Sequence, residues 1–485
     1  MTPPFVIEGT EQLVLIGNNA SGKTRLSEAF LASCPLPAAM IRFRDSYADM
    51  EGTYYLQKRW NTQEIEEDTP TVRQILARTV ASAGARDRWR LPPELLEAAR
   101  AEREALLARL TARFGWDRLA DEYVISLSSG ETRKLQLTTA LLDLPRVLVL
   151  DNPFIGLDAE TRSMLGGLLA ELAERLELNW VLLLTHAEQI PAFITHVILV
   201  RDGVAGQKMP AAAFRALPAN ETMPDEAPSP ELEARVLSFP VRDLSAVPFY
   251  PAGPSPEIVR CEDVSIRYGT RTILSHLDWV VREGECWALR GANGSGKSTL
   301  LSLVCADNPQ AYACRIALFG HPRGSGESIW EIKRHIGYVS PEMHRAYQKN
   351  IPALDIVASG LFDTVGLCLH PSEEQYALSR EWMSVFGIGH LAERPYLQLS
   401  SGEQRLCLLA RAFVKDPELL ILDEPMHGLD PAHCSQVRHI IEAFVRRPHK
   451  TLLFVTHYDE ELPACIGHSL CLGSQTCLRS TKEAL

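Results

Sequence analysis

Short, uninterrupted apolar runs recur along the chain and predict buried β-strands. In the first half they cover residues 13–16, 147–150 and 181–184, and residues 419–422 repeat the second of these runs in the other half. Strands that are apolar at every position, rather than at alternate positions, are typical of parallel sheets with helices on both faces. The pattern therefore predicts an α/β protein with a buried parallel sheet in each half.

Two further patterns predict how the halves differ. Between residues 91 and 114, apolar side chains recur at helical spacing, which predicts a long helix in the first half. Residues 258–264 intersperse apolar, β-branched and polar side chains as strands do, which predicts an opening hairpin in the second half. Only a short segment precedes the first strand at residue 13, so we expect no equivalent hairpin in the first half.

The stretch between the halves has a different composition. Nine prolines fall between Pro218 and Pro256, where the only basic residues are Arg235 and Arg242. A proline-rich, acidic segment is typical of a semi-extended, solvated tether rather than a packed domain. We therefore expect domain 1 at residues 1–207, a proline-rich linker at 208–256 and domain 2 at 257–485.

A series of five motifs occurs twice, about 272 residues apart. Each copy has a glycine-rich loop ending in Gly-Lys-Thr or Gly-Lys-Ser, a Leu-Ser-Ser-Gly-Glu segment, an aspartate after an apolar strand, a Gly-Leu-Asp turn and a Thr-His pair. The strand-end aspartates are Asp151 and Asp423, and the next residue is Asn152 in the first copy but Glu424 in the second. Such a period indicates two similar units.

Composition and charge exclude several classes of protein. No apolar run among the 485 residues approaches the roughly 18–20 residues that cross a bilayer, and the N-terminus does not read as a signal peptide. We expect a soluble, cytoplasmic protein, or one peripheral to the inner face of the membrane. A formal charge of −12 makes nucleic acid an unlikely partner. The eleven cysteines include no Cys-x-x-Cys pair and are expected to be reduced.

The glycine-rich loops and strand-end aspartates have a defined chemistry. Glycines between a strand and a helix let several backbone N–H groups point at phosphate oxygens, and the helix N-terminus adds partial positive charge. The lysine contacts the β- and γ-phosphates, while the hydroxyl of Thr24 or Ser298 and the carboxylate of Asp151 or Asp423 hold Mg²⁺. The predicted phosphate-loop contacts are Gly17, Asn18, Asn19, Ala20, Ser21, Gly22, Lys23, Thr24, Gly291, Ala292, Asn293, Gly294, Ser295, Gly296, Lys297, Ser298 and Thr299.

The Leu-Ser-Ser-Gly-Glu segments narrow the class of phosphate-binding protein further. A helix cap alone would explain the serine and the glutamate three residues later. It would not explain why 23 residues separate this serine from the aspartate in both copies. The chemistry fits a turn that grips a γ-phosphate held by another unit. The residues expected to do so are Ser128, Ser129, Gly130, Glu131, Ser400, Ser401, Gly402 and Glu403.

Taken together, these motifs resemble those of the ATP-binding cassette (ABC) ATPases over the whole chain except the tether. The resemblance implies two P-loop NTPase domains, each with a Walker-type parallel sheet and a helical signature subdomain, that close head-to-tail on two MgATP molecules. Glu424 is similar to the catalytic glutamate of that family, and His186 and His457 resemble its switch histidine. Tyr268 resembles the aromatic residue that stacks on adenine, and Gln57 the glutamine that contacts Mg²⁺.

Several departures from the family pattern leave alternatives open. Asn152 cannot accept a proton, so the resemblance implies slow turnover at the first Walker site and hydrolysis at the second. Tyr268 could instead be ordinary strand packing, and Phe5 could substitute for it in the first unit. Gln57 could be a surface-loop residue. The second unit has Glu342 at the glutamine position, where it could hold water or metal.

The resemblance favours an ATP-driven conformational switch, closest to a tandem-cassette group without membrane domains that is linked to molybdate uptake. A membrane permease is then the expected partner. The alternatives are a ribosome-acting ABC-F-like factor, another regulatory ATPase, or a DNA-repair ATPase. The proline-rich, acidic linker argues against the ABC-F type, which has a long charged helical hairpin between its cassettes. A repair ATPase would contain a zinc module or a coiled coil, and the sequence shows no pattern for either.

Overall fold

The computed structural model describes residues 4–19, 21–42, 70–82, 93–124, 127, 129–154, 159–175, 178–201, 203–217, 230–242, 256–268, 271–291, 294–456, 458–473 and 480–481. The chain divides into two compact units, Met1–Pro224 and Asp225–Leu485. Each unit contains a largely parallel sheet covered by helices, so the predicted α/β class is confirmed.

The first unit is built on a seven-stranded sheet. Its strands are β1 (Leu13–Ile16), β2 (Ala38–Arg42), β3 (Val147–Asp151), β4 (Asn179–Leu184), β5 (His196–Arg201), β6 (Val204–Ala205) and β7 (Met209–Pro210). The order is β2-β3-β4-β1-β5-β6, with β7 also paired to β5. The neighbours from β2 to β5 pair in parallel, while β6 and β7 are antiparallel to β5. The three predicted apolar runs lie in β1, β3 and β4.

Seven helices of the first unit lie in the described part of the chain. They are α1 (Lys23–Ser33), α2 (Val72–Ser82), α3 (Pro93–Phe114), α4 (Trp116–Leu119), α5 (Ser129–Leu142), α6 (Ala159–Arg175) and α7 (Ala211–Arg215). The long helix predicted between residues 91 and 114 is α3. Within residues 4–19, β1 is the only strand.

The second unit contains two sheets. Its strands are β8 (Glu257–Tyr268), β9 (Arg271–Arg282), β10 (Cys286–Arg290), β11 (Arg315–Leu318), β12 (His321–Pro322), β13 (Ile336–Val339), β14 (Leu419–Asp423), β15 (Thr451–Val455), β16 (His468–Cys471) and β17 (Ser480–Thr481). One sheet has the order β13-β14-β15-β10-β16-β17, parallel except for β17, and the other is antiparallel, β12-β11-β8-β9. The predicted hairpin is β8–β9.

Eight helices of the second unit lie in the described part of the chain. They are α8 (Pro230–Ser238), α9 (Lys297–Val304), α10 (Ile329–Lys333), α11 (Pro341–Ala346), α12 (Ala353–Ala358), α13 (Glu373–Val385), α14 (Ser401–Phe413) and α15 (Pro431–Val445). No helix in the described ranges of either unit is long and apolar enough to cross a membrane.

The central strands are apolar throughout because both of their faces are covered. In β1, Val14 and Ile16 enter one buried cluster, and Leu13 and Leu15 enter a second cluster on the opposite face. β14 divides in the same way between two clusters of the second unit. Because the strands are parallel, their carboxyl ends meet at one edge of each sheet, where the phosphate loops and the strand-end aspartates lie.

The expectation of an unpacked tether over residues 208–256 is wrong for two described stretches. In the first, β7 pairs with β5, and Phe214 of α7 is buried in a core cluster of the first unit. In the second, Val236 and Phe239 join the core of the second unit. Proline content dominated the prediction and obscured short apolar patterns that can still pack. The boundaries at 207 and 257 stay a prediction.

Candidate functional site

The glycine-rich loop of the first unit joins β1 to α1 as the motif requires. Gly22 caps α1 with φ 91°, a left-handed conformation that glycine adopts without steric cost. The Lys23 ammonium is buried and donates to the carbonyls of Gly17 at 2.5 Å and Asn18 at 2.8 Å. The lysine thus folds back over the concave side of its own loop.

The second unit repeats this geometry between β10 and α9. Gly296 has φ 99°, and the buried Lys297 donates to the carbonyl of Gly291 at 2.7 Å. Ser21 Oγ and Ser295 Oγ, at equivalent places, are buried without a hydrogen-bond partner among the described residues. A buried hydroxyl without a partner beside a lysine and a helix N-terminus fits a phosphate group. Ala20, Ala292 and Asn293 lie outside the described residues.

The predicted Mg²⁺ ligands come together in the first unit. Thr24 Oγ1, in the first turn of α1, donates to Asp151 Oδ2 at 3.0 Å at the end of β3. In the second unit Asp423 ends β14 and is 5% exposed, and Ser298 occupies the first turn of α9 with an exposed side chain. A hydroxyl and a carboxylate that add to phosphate oxygens and water form an oxygen ligand set that suits Mg²⁺.

The residues after the two aspartates share a backbone conformation but not a chemistry. Asn152 has φ 50° and Glu424 φ 48°, both left-handed. Each backbone N–H donates to the neighbouring strand, to Leu183 O at 3.0 Å and to Val455 O at 2.8 Å respectively. The Asn152 amide donates to Asp151 Oδ1 at 3.3 Å. The same strained position therefore presents a hydrogen-bond donor in one unit and a carboxylate in the other.

The signature serine and glutamate of the second unit form a capping box at the start of α14. The Ser400 N–H donates to Glu403 Oε2 at 2.7 Å, and the Glu403 N–H donates to Ser400 Oγ at 3.3 Å. In the first unit, α5 begins at Ser129, with Gly130 and Glu131 in its first turn, and Ser128 lies outside the described residues. The helix N-termini that a phosphate grip requires are therefore present in both units.

Tyr268 stands at the end of β8 with its ring half-buried. Its hydroxyl accepts a hydrogen bond from Asn308 Nδ2 at 3.0 Å, and its ring packs beside a core cluster. Stacking on adenine stays a prediction. Phe5 is 6% exposed and stacks on Phe30 with ring centroids 4.5 Å apart, so it is a core residue of the first unit.

Of the two predicted histidines and the predicted glutamine, the structure describes only His186. His186 follows β4 and begins a short 3₁₀ turn. His457 and Gln57 lie outside the described residues. Thr456, immediately before His457, donates its hydroxyl to the Glu461 carboxylate and accepts from the Tyr458 N–H at 3.1 Å. Glu342 lies in the first turn of α11, which Ser340 caps by accepting from Met343 N–H.

A buried arginine that the sequence motifs do not predict links three of them. Arg405 on α14 is 1% exposed, and its guanidinium donates to the carbonyls of Ser340 (3.0 Å), Pro425 (3.3 Å), Asp423 (3.3 Å) and Glu424. Arg133, at the same place in the first copy, donates to the Pro153 carbonyl at 2.6 Å. The repeat could have revealed this pair, because each arginine follows its signature serine by five residues.

Comparisons with known proteins agree with this geometry. The family model described as ABC transporter matches residues 4–155 and 274–427. The ABC transporter ATP-binding protein ModF of Escherichia coli is 35% identical over 96% of this chain and 92% of its own length. An uncharacterized ABC transporter ATP-binding protein of Schizosaccharomyces pombe is 27% identical, covering 96% of this chain and 92% of its own length.

Among solved structures, a model of ribosome-bound archaeal Pelota and ABCE1 matches with a TM-score of 0.60 at 14% identity. The match covers 97% of this chain and 74% of the other chain, and it supports the fold alone. With two family matches and a relative similar over nearly its whole length, the chain belongs to the ABC transporter ATP-binding family and is an ATP hydrolase with two cassettes in tandem.

Proposed function

We propose that the chain is an ATP-driven conformational switch that hydrolyses ATP mainly at the Walker residues of its second unit. In this proposal each MgATP is held by the phosphate loop of one unit and the signature turn of the other. Closure on ATP does mechanical work, and hydrolysis reopens the pair. The main support is that Glu424 and Asn152 occupy equivalent positions in the two units with the same left-handed backbone conformation, so that only the side chain differs.

Two further differences between the units support this asymmetry. The Thr456 hydroxyl beside the switch histidine is bound by Glu461, whereas the residue at that offset in the first copy is Ile190, which cannot accept a hydrogen bond. Tyr268 has no counterpart, because the first unit has no strand equivalent to β8 in its described part. The Thr456–Glu461 contact and Tyr268 of the second unit thus have no polar equivalent at the matching places in the described part of the first unit.

The chemistry assigned to the second unit is general-base hydrolysis. Lys297 and the loop N–H groups bind the phosphates, and the signature turn of the other unit closes over the γ-phosphate. Glu424 accepts the proton of the attacking water, and His457 donates to the γ-phosphate oxygens. Mg²⁺, held by Ser298 and Asp423, would neutralise charge that develops on the phosphates. In the first unit Lys23, Thr24 and Asp151 bind ATP in the same way, but Asn152 supplies no base.

The proposed partner is a membrane permease, and the chain would serve as the ATP-binding component of a transport system linked to molybdate. The similarity to ModF, whose name describes an ABC transporter ATP-binding protein, supports the role as an ATP-binding component.

The test is steady-state ATPase activity of the full chain. Glu424→Gln should lower kcat by roughly a hundredfold or more, because an amide cannot take up the proton. Asn152→Ala, the matched control, should leave kcat within about threefold, since Asn152 supplies no proton acceptor. Substantial activity remaining in Glu424→Gln would contradict the proposal, as would an equal loss in both variants.

The partner is tested with the same hydrolysis-deficient chain. In the presence of ATP, Glu424→Gln should co-purify with membranes that contain the permease. It should not co-sediment with ribosomes. The reverse result would favour the ABC-F-like alternative.

A further inference from the structure

The turn after the proposed base carries a histidine whose role the motifs do not assign. The chain there reads Asp-Glu-Pro-Met-His-Gly from Asp423, which places His427 three residues after Glu424. The His427 N–H donates to the Glu424 carbonyl at 3.1 Å and closes a tight turn. His427 Nδ1 lies 3.8 Å from Glu424 Oε2, within ion-pair distance but longer than a hydrogen bond.

The contact involves the side-chain carboxylate of Glu424 rather than its backbone. The backbone is fixed by the Val455 carbonyl and by Arg405, which donates to the Glu424 carbonyl. The carboxylate stands at the end of three side-chain torsions, and its side chain is 21% exposed. Long side chains at such sites populate several rotamers unless a neighbour restricts them. His427, with a side chain 27% exposed, is such a neighbour.

The first copy lacks both members of this pair. Its sequence reads Asp-Asn-Pro-Phe-Ile-Gly from Asp151, so Ile155 stands where the second copy has His427. Isoleucine has no polar atom to offer a carboxylate, and there is no carboxylate at residue 152 for it to contact. Histidine is therefore present in the copy that has a base and absent from the copy that does not.

We propose that His427 is a positioning residue for Glu424, and that it holds the carboxylate in the orientation that accepts a proton from the attacking water. This inference rests on the proposed function, in which Glu424 is the general base. An imidazole Nδ1–H can donate to a carboxylate oxygen, and a side-chain shift of about 1 Å would convert the 3.8 Å separation into a hydrogen bond. A base must lie within hydrogen-bond reach of its proton, so small misplacements lower the rate steeply.

The experiment is a double-mutant cycle on the full chain with MgATP. His427→Ala should lower kcat roughly tenfold and leave KM for ATP within about twofold, because the phosphate contacts are unchanged. His427→Gln should restore most of kcat, since its amide donates a hydrogen bond from a similar distance. In the Glu424→Gln background, His427→Ala should cause no further loss, because the group on which it acts has gone.

Three results would overturn the inference. They are a kcat for His427→Ala within twofold of wild type, a raised KM with unchanged kcat, and a full additional loss in the Glu424→Gln background. High activity in Glu424→Gln by itself would instead refute the proposed base, so the two failures are distinguishable. Thermal unfolding shows whether each variant folds. If His427→Ala does not fold, His427→Ile, which introduces the residue of the first copy, carries the same expectation.

Discussion

Asp430, in the Gly-Leu-Asp turn of the second unit, serves the helix that follows it. Its Oδ1 accepts from the His433 N–H and from His433 Nδ1, both at 2.9 Å, so it caps α15. The side chain is 1% exposed. The hydrogen bond to Asp430 raises the pKa of His433, because the protonated ring donates to the carboxylate while burial opposes protonation.

This contact predicts a pH-dependent contribution to stability. The folded pKa of His433 is raised, so its stabilisation is fully present below the unfolded value of about 6.5 and is lost as pH rises through the folded pKa. His433→Gln should lower the melting temperature by roughly 1–3 °C at pH 6, allowing for the exposure of the ring, and by less at pH 9. Thermal scans at both pH values measure this. In an Asp430→Asn background, the effect of His433→Gln on the melting temperature should no longer depend on pH. If the pH dependence persisted, it would belong to another titrating group.

At the scale of elements, Arg405 connects the signature helix α14 to the ends of β13 and β14. A planar guanidinium can reach several carbonyls at once, which a lysine ammonium does with poorer geometry. Removing it would leave buried carbonyls without their donor. It would also remove one of the contacts that hold the backbone of Glu424.

Arg405→Ala should therefore destabilise the second unit by about 3 kcal/mol and lower ATPase activity, and Arg405→Lys should recover only part of either loss. Denaturant unfolding and kcat are the measurements. Arg133→Ala in the first unit is the matched control, and it should affect stability with a smaller effect on kcat. If Arg405→Ala kept full activity, α14 would not position the base.

The elements differ in how far the sequence could predict them, and the reason is the range of the interactions. The strands and phosphate loops can be predicted from local patterns, because an apolar run followed by Gly-x-x-x-x-Gly-Lys is enough to indicate a buried strand and the loop after it. The placement of Lys23 and the pairing of Thr24 with Asp151 could therefore be predicted. The contacts of Arg405 could not, because its acceptors are backbone carbonyls in other elements that leave no mark in residue type.

For the stretch between the two halves, the proline-rich composition predicted an unpacked tether, although a short amphipathic helix lies within it. Leu232, Val236 and Phe239 follow helical spacing and face the core of the second unit, but they lie among nine prolines. Phe239 stacks on Trp382 with centroids 4.3 Å apart and an interplanar angle of 8°. Arg447 donates to the carbonyls of Phe239 (3.1 Å) and Pro240 (2.7 Å).

This packing makes residues 230–242 a structural part of the second unit. Phe239→Ala removes a buried ring that stacks on Trp382 and should cost about 3 kcal/mol. Leu237→Ala, on the same helix but 42% exposed, should cost less than about 0.5 kcal/mol. Denaturant unfolding of the full chain and hydrogen exchange of α13 and α15 are the measurements that compare the two variants. Equal stability of both variants would mean that the segment lies on the surface without supporting the unit, as expected of a tether. Faster exchange in α13 and α15 for Phe239→Ala alone would show that the segment stabilises the helices it covers.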